Sequence, residues 1–88
     1  MLLGKVIGNV WATKKDERLN SLSLLVVEPY NAKTKECLLP IVAADLVGAG
    51  IGEDVLIVKG SSANYAAGDT KGITDAVIVG IVDGIDIK

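Results

Sequence analysis

The sequence predicts an all-β chain folded as a small barrel. Short apolar runs rich in Val, Ile and Leu recur between polar turns at the spacing of barrel strands. Only two stretches, 45–47 and 62–67, have the composition for a helical turn, and neither is long enough to build a helical layer.

The first element is a long strand over 2–13. Leu3, Ile7 and Trp11 fall on one face and Val6, Val10 and Ala12 on the other. Gly4 and Gly8 sit four apart on the Val6 face, where missing side chains permit strong coiling or the close approach of another segment. Lys14, Lys15, Asp16, Glu17 and Arg18 read as a solvated loop. A second strand over 22–28 carries the run Leu24, Leu25, Val26 and Val27, and Pro29, Tyr30 and Asn31 are expected to stop it.

After a polar turn over 32–36, a third strand is predicted over 37–43, with Pro40 placing it at an edge or irregularity of the sheet. A tight connection over 45–52 leads to a fourth strand over 55–58. Residues 60–72 form a long stretch of small and polar residues, 76–82 a strongly β-branched fifth strand, and 85–87 a short sixth. No internal repeat or linker interrupts the chain, so a single domain over 1–88 is expected.

Composition then bears on association. A chain of 88 residues buries only about 60% of the surface its unfolded form exposes. Half of these residues are hydrophobic, 23% are charged and the mean hydropathy is +0.46, so a lone subunit would leave much apolar surface in water. Oligomerisation would cover it.

Membrane insertion does not fit, because Gly, Pro, Asp or Lys breaks every uncharged stretch before the roughly 20 residues of a spanning helix. The start, Met1 to Lys5, lacks the order of basic segment, apolar run and small-residue cleavage site that marks a secretory signal. A single cysteine, Cys37, excludes an intrachain disulfide and suits a reducing cytosol. It is expected to be a small, semi-buried residue beside Leu38 and Leu39, since no histidine exists to activate it. The net charge of −2 argues against a polyanionic partner held by bulk electrostatics.

The most visible motif is Gly48-Ala49-Gly50-Ile51-Gly52. Phosphate-cradling glycine loops follow a strand and open a helix. Here Glu53, Asp54 and a strand follow, so a structural role is expected, in which backbone passes close to another element or subunit. Ser61 and Ser62 suggest a serine nucleophile, but with no histidine the only bases are lysines such as Lys59 or Lys71. Capping a short turn is the expected role.

The pairs Asp16/Glu17 and Glu53/Asp54 point to opposite faces if extended, and Asp83 with Asp86 offers too few oxygens for calcium. They read as solvated acids, and no metal, cofactor or catalytic residue is expected. A small barrel also suits single-stranded nucleic acid. That alternative is poorly served by Trp11, Tyr30 and Tyr65 as the only aromatic residues and by an excess of acids over bases.

The segment from Val47 to Leu56, Val47-Gly48-Ala49-Gly50-Ile51-Gly52-Glu53-Asp54-Val55-Leu56, followed by Gly60-Ser61-Ser62-Ala63, resembles the signature of the EutN/CcmL family of vertex proteins of bacterial microcompartment shells. The opening from Gly4 to Thr13 with Lys15 fits the family's first strand and loop, and Leu24 to Val27 its second strand. Val42 to Asp45 fits the approach to the glycine turn, and Asp75 to Asp83 the last core strand.

The resemblance implies a five-stranded barrel related to the oligonucleotide/oligosaccharide-binding fold, with short helical turns. Five copies would form a homopentamer that caps the corners of a polyhedral, carboxysome-like shell in the bacterial cytoplasm, beside hexameric shell proteins. No enzymatic activity is implied. Gly48, Ala49 and Gly50 would form a tight turn, with Ser61 and Ser62 in a nearby loop. Both would face a neighbouring subunit or the central pore. Asn64 stands where members commonly carry arginine, so a salt bridge between subunits from that position is not carried over.

Overall fold

A computed structural model describes residues 1–13, 15, 17–19, 22–60 and 75–87. Five strands, β1 (Leu2–Asn9), β2 (Ser23–Tyr30), β3 (Ile41–Asp45), β4 (Asp54–Lys59) and β5 (Ala76–Ile81), close into a barrel in the order β1-β2-β3-β5-β4. All neighbours are antiparallel except β3 and β5. A closed barrel leaves no strand edge to recruit another chain.

Alternation along the strands fills the interior. Val6 of β1, Leu25 and Val27 of β2, Ala43 of β3, Val55 and Ile57 of β4, and Ala76 and Ile78 of β5 form one buried cluster. Gly4 provides the room for it, because a methyl group there would lie 2.7 Å from Ile57 Cδ1 and 3.3 Å from the Glu28 carbonyl oxygen. Register shifts at Val6/Gly8 on β1 and at Leu56/Ile57 on β4 are the local irregularities that let so small a sheet coil shut.

A second cluster explains the unbroken apolar run of β5. Leu24 pairs with Ala44, Ala44 with Val77 and Val77 with Val58, so these four lie in a row across the wall. Ala44 and Val77 are buried there, with Leu22, Leu24, Val58 and Val79 packed against them. Strands covered on both faces read as continuous hydrophobic runs rather than alternating ones.

Several boundaries differ from the sequence reading. The first strand ends at Asn9 rather than at 13: Val10 N still donates to the Leu24 carbonyl at 2.9 Å, but β2 begins at Ser23 and offers little beyond. Pro29 and Tyr30 continue β2 instead of stopping it, and the Pro29 carbonyl accepts a 2.7 Å bond from Leu38 N. The third strand starts at Ile41, not at 37. Residues 37–40 contribute only an isolated bridge, Tyr30 to Cys37, because Pro40 has no N–H for the ladder.

Residues 85–87 form no strand, since both neighbours of β5 are already in place and the closed wall has no free position. Residues 17–19, expected as loop, form a 3₁₀ turn (Glu17–Leu19), and Leu22 N donates to the Leu19 carbonyl at 3.0 Å. Asp45 belongs to β3 and residues 46–47 bend without helical structure. The other expected turn, at 62–67, and Asn64 lie outside the described residues.

Candidate functional site

The glycine motif is a braced loop at the end of the barrel where β3 stops. Asp45 ends β3 and its carboxylate turns back on the chain, accepting bonds from Val47 N at 3.0 Å and Ala49 N at 2.8 Å. Glu53 does the same from the far side, accepting from Gly50 N at 2.6 Å. Gly52 N donates to the Val6 carbonyl at 2.8 Å and Val6 N to the Glu53 carbonyl at 3.0 Å, which ties the loop to β1. Two carboxylates thus take three backbone N–H groups that would otherwise need water or another partner.

Within this loop, glycine is required at two places by backbone sign. Gly48 has φ +77° and Gly52 φ +91°, conformations that L side chains rarely adopt, while the space beside each is open. Gly50 is different, since a methyl there would approach the Glu53 carboxylate to 3.3 Å. Ala49 packs against the barrel core and plugs its end, whereas Gly48 and Gly50 are exposed. The loop leads into β4 and not into a helix, so it has no helix N-terminus with which to cradle phosphate. Ser61 and Ser62, the other two predicted contact residues, lie outside the described residues.

Beside the loop opens a cleft of about 480 Å³, lined by Val10, Trp11, Leu22, Leu24, Gly48 and Ala49 among others. Trp11, the sole tryptophan, is 90% exposed on its wall. Sequence reasoning placed Trp11 on the first strand and counted it among too few aromatic residues to stack bases, and it gave Asp45 and Glu53 no role in the loop. Asp45 was findable, because an aspartate two and four residues before the amides it binds is a recurrent turn signal.

A second, smaller cleft of about 310 Å³ lies on the outer side of β1 and β2, lined by Lys5, Glu28, Tyr30, Lys35, Cys37, Asp54 and Ile85. Lys5 and Asp54 are direct cross-strand partners and form an ion pair at 3.5 Å. The Tyr30 hydroxyl donates to the same Asp54 oxygen at 3.1 Å. Loss of solvent and then the bond to Asp54 push the Tyr30 phenol above its ordinary value.

Cys37 is exposed here, not semi-buried as its apolar neighbours suggested, because it stands at the isolated bridge outside the sheet. The Glu28 carboxylate beside it raises its thiol pKa, which keeps the sulfur protonated and a poor nucleophile. These groups pin strands and a turn together, and the geometry gives none of them an activated role.

The aromatic residues do not make a stacking surface. Trp11 stands near Leu24 at one end of β2 and Tyr30 is at the other end, so the two described rings are divided by the length of that strand. Among the described residues no group of three or more acidic or cysteine side chains converges as a metal site, and no helix is long and apolar enough to cross a membrane.

Comparisons with known proteins agree with the geometry. The family model for "Ethanolamine utilisation protein EutN/carboxysome" matches residues 1–83. The chain is 46% identical to the bacterial microcompartment shell vertex protein GrpN of Rhodospirillum rubrum (strain F11), over 98% of this chain and 97% of that protein. It is 38% identical to the carboxysome shell vertex protein CcmL of Synechocystis sp., over 99% of this chain and 87% of the other. The solved structure of the GrpN pentameric microcompartment shell protein from Rhodospirillum rubrum superposes with a TM-score of 0.88 at 42% identity, covering all of both chains. A barrel closed by a braced glycine loop, matched from end to end by shell proteins of the same length class, places this chain in the EutN/CcmL family.

Proposed function

We propose that five copies of this chain close into a ring that caps a vertex of a polyhedral microcompartment shell and meets hexameric shell proteins along its rim. The chain is a structural shell component, located in the bacterial cytoplasm as part of the shell, and not an enzyme. The observation that carries the reading is the end-to-end likeness to shell vertex proteins. The apolar residues left in water by the lone subunit support it, Trp11 and Leu39 above all.

In this reading residues 1–88 act as one vertex domain, and the loop of Gly48, Ala49 and Gly50 faces a neighbouring subunit or the central pore, with Ser61 and Ser62 beside it. A braced loop of small residues suits both positions, because backbone approaches closely where side chains are absent.

Native mass spectrometry of the purified chain tests the ring. A dominant species of five times 9.1 kDa is expected, and Gly50→Val, which crowds Glu53 and adds bulk to the loop, should reduce it. A persistent monomer at all concentrations would refute the ring. Addition of hexameric shell proteins should then convert the pentamer into closed particles visible by electron microscopy.

A further inference from the structure

We infer that Trp11 is the buried anchor of the contact between subunits, and that its cleft is filled by the Leu38–Leu39 segment of a second copy of this chain. The inference rests on the proposed ring and goes beyond it by naming the two surfaces that meet.

The first surface is the cleft itself. Trp11, Leu22, Leu24 and Ala49 form an apolar strip in a cleft that Asn9, Lys15, Ser23 and Asp45 also line, and Trp11 keeps 90% of its surface in water. An indole this exposed beside a concave wall of mixed apolar and polar groups is the usual material of an interface anchor, since tryptophan dominates binding hot spots when a partner desolvates it. The cleft is also continuous with the glycine loop, because Gly48 and Ala49 form part of its lining. A neighbour resting against that loop therefore reaches the cleft without a second, separate patch.

The second surface lies at the opposite end of the barrel. Leu38 is anchored by its N–H to the Pro29 carbonyl, and Leu39 beyond it is 85% exposed. Pro40 follows and Ile41 opens β3, so the two leucines stand on a short unpaired segment held at both ends. Trp11 by contrast follows Val10, which is bonded to Leu24. Leu24 and Pro29 are five residues apart on β2, a rise of roughly 17 Å, so a subunit does not fill its own cleft with its own leucines.

Two complementary surfaces that do not overlap are what a head-to-tail contact needs. Such a contact closes as a ring when the rotation permits. An anchor on one subunit and a leucine pair on the next give each copy one of each, and no copy in a closed ring is left with an empty cleft.

Because the protein has a single tryptophan, its fluorescence reports this contact directly. The purified chain is measured for mass by native mass spectrometry and, in the same buffer, for emission and acrylamide quenching. The expected result is a pentamer whose emission is blue-shifted and whose quenching is several-fold weaker than that of free indole. Leu39→Asp, a change at an exposed position that leaves the barrel core untouched, should lose the pentamer and restore red-shifted, fully quenchable emission.

A pentamer with solvent-like, freely quenched Trp11 would overturn the inference while leaving the ring intact. A pentamer that survives Leu39→Asp with its emission unshifted would remove the leucine segment as the occupant. Emission that shifts only when hexameric shell proteins are added would assign the cleft to that partner instead. A monomer at every concentration would refute the ring reading and the contact together.

Discussion

Gly4 offers the sharpest test of how the barrel closes, and Gly4→Ala is the perturbation. The added methyl would meet Ile57 Cδ1 at 2.7 Å and the Glu28 carbonyl at 3.3 Å. Ile57 is wholly buried in the central cluster, so its terminal methyl must shift within the packed interior to admit the new group. Overpacking of a filled core costs about 1 to 3 kcal/mol, and the cost falls near the middle of that range because Ile57 Cδ1 is the end of a flexible side chain while the Glu28 oxygen is fixed backbone. Replacing a strand glycine recovers about 0.5 to 1 kcal/mol of chain entropy, leaving a net loss of about 1 kcal/mol.

The assay is urea unfolding at one fixed protomer concentration, because association adds to the stability that is measured. A loss of that size lowers the midpoint by roughly 0.5 M for a small domain. Ile57→Val deletes the offending Cδ1 and by itself costs about 0.5 to 1.5 kcal/mol. In the Gly4→Ala background it should instead recover stability, so the double variant is more stable than the sum of the two singles requires. A Gly4→Ala protein as stable as the parent, or a strictly additive double variant, would refute the claim that Ile57 occupies the space that glycine leaves.

Asp45→Ala removes the acceptor for Val47 N and Ala49 N. It should cost about 1 to 3 kcal/mol and speed amide hydrogen exchange at Val47 and Ala49, while Asp45→Asn, which keeps one acceptor oxygen, loses less. The Cys37 thiol, raised by Glu28, should be alkylated more slowly than free cysteine at pH 8. Since a higher pKa means less thiolate at that pH, Glu28→Gln should accelerate alkylation and move the rate profile to lower pH.

The alternating and β-branched runs were enough to show an all-β barrel with a strand after the glycine motif. Alternation along the first strand set Val6 on a face apart from Leu3 and Ile7, and Val6 is buried, whereas the unbroken runs holding Val27 and Ile57 did not say which face is the core. The resemblance of the stretch from Val47 to Leu56 likewise carried the family, because glycine at positive φ and the Glu53 that follows serve that one turn. What the linear pattern does not hold is which strand lies beside which.

The failed sixth strand shows why. Ile85-Asp86-Ile87 is as good a strand former as many, but strand pairing needs a free edge, and only the closed order β1-β2-β3-β5-β4 reveals that none is left. Cys37 similarly reads as semi-buried beside two leucines and emerges exposed, because burial is a property of the opposing wall and residues 37–40 have none. Sequence by itself determined the all-β class, the existence of the five barrel strands and the family. Tertiary structure alone decided the pairing order, the bracing of the loop by Asp45 and Glu53, and the exposure of Trp11, since each depends on groups far apart along the chain that meet only when the barrel closes.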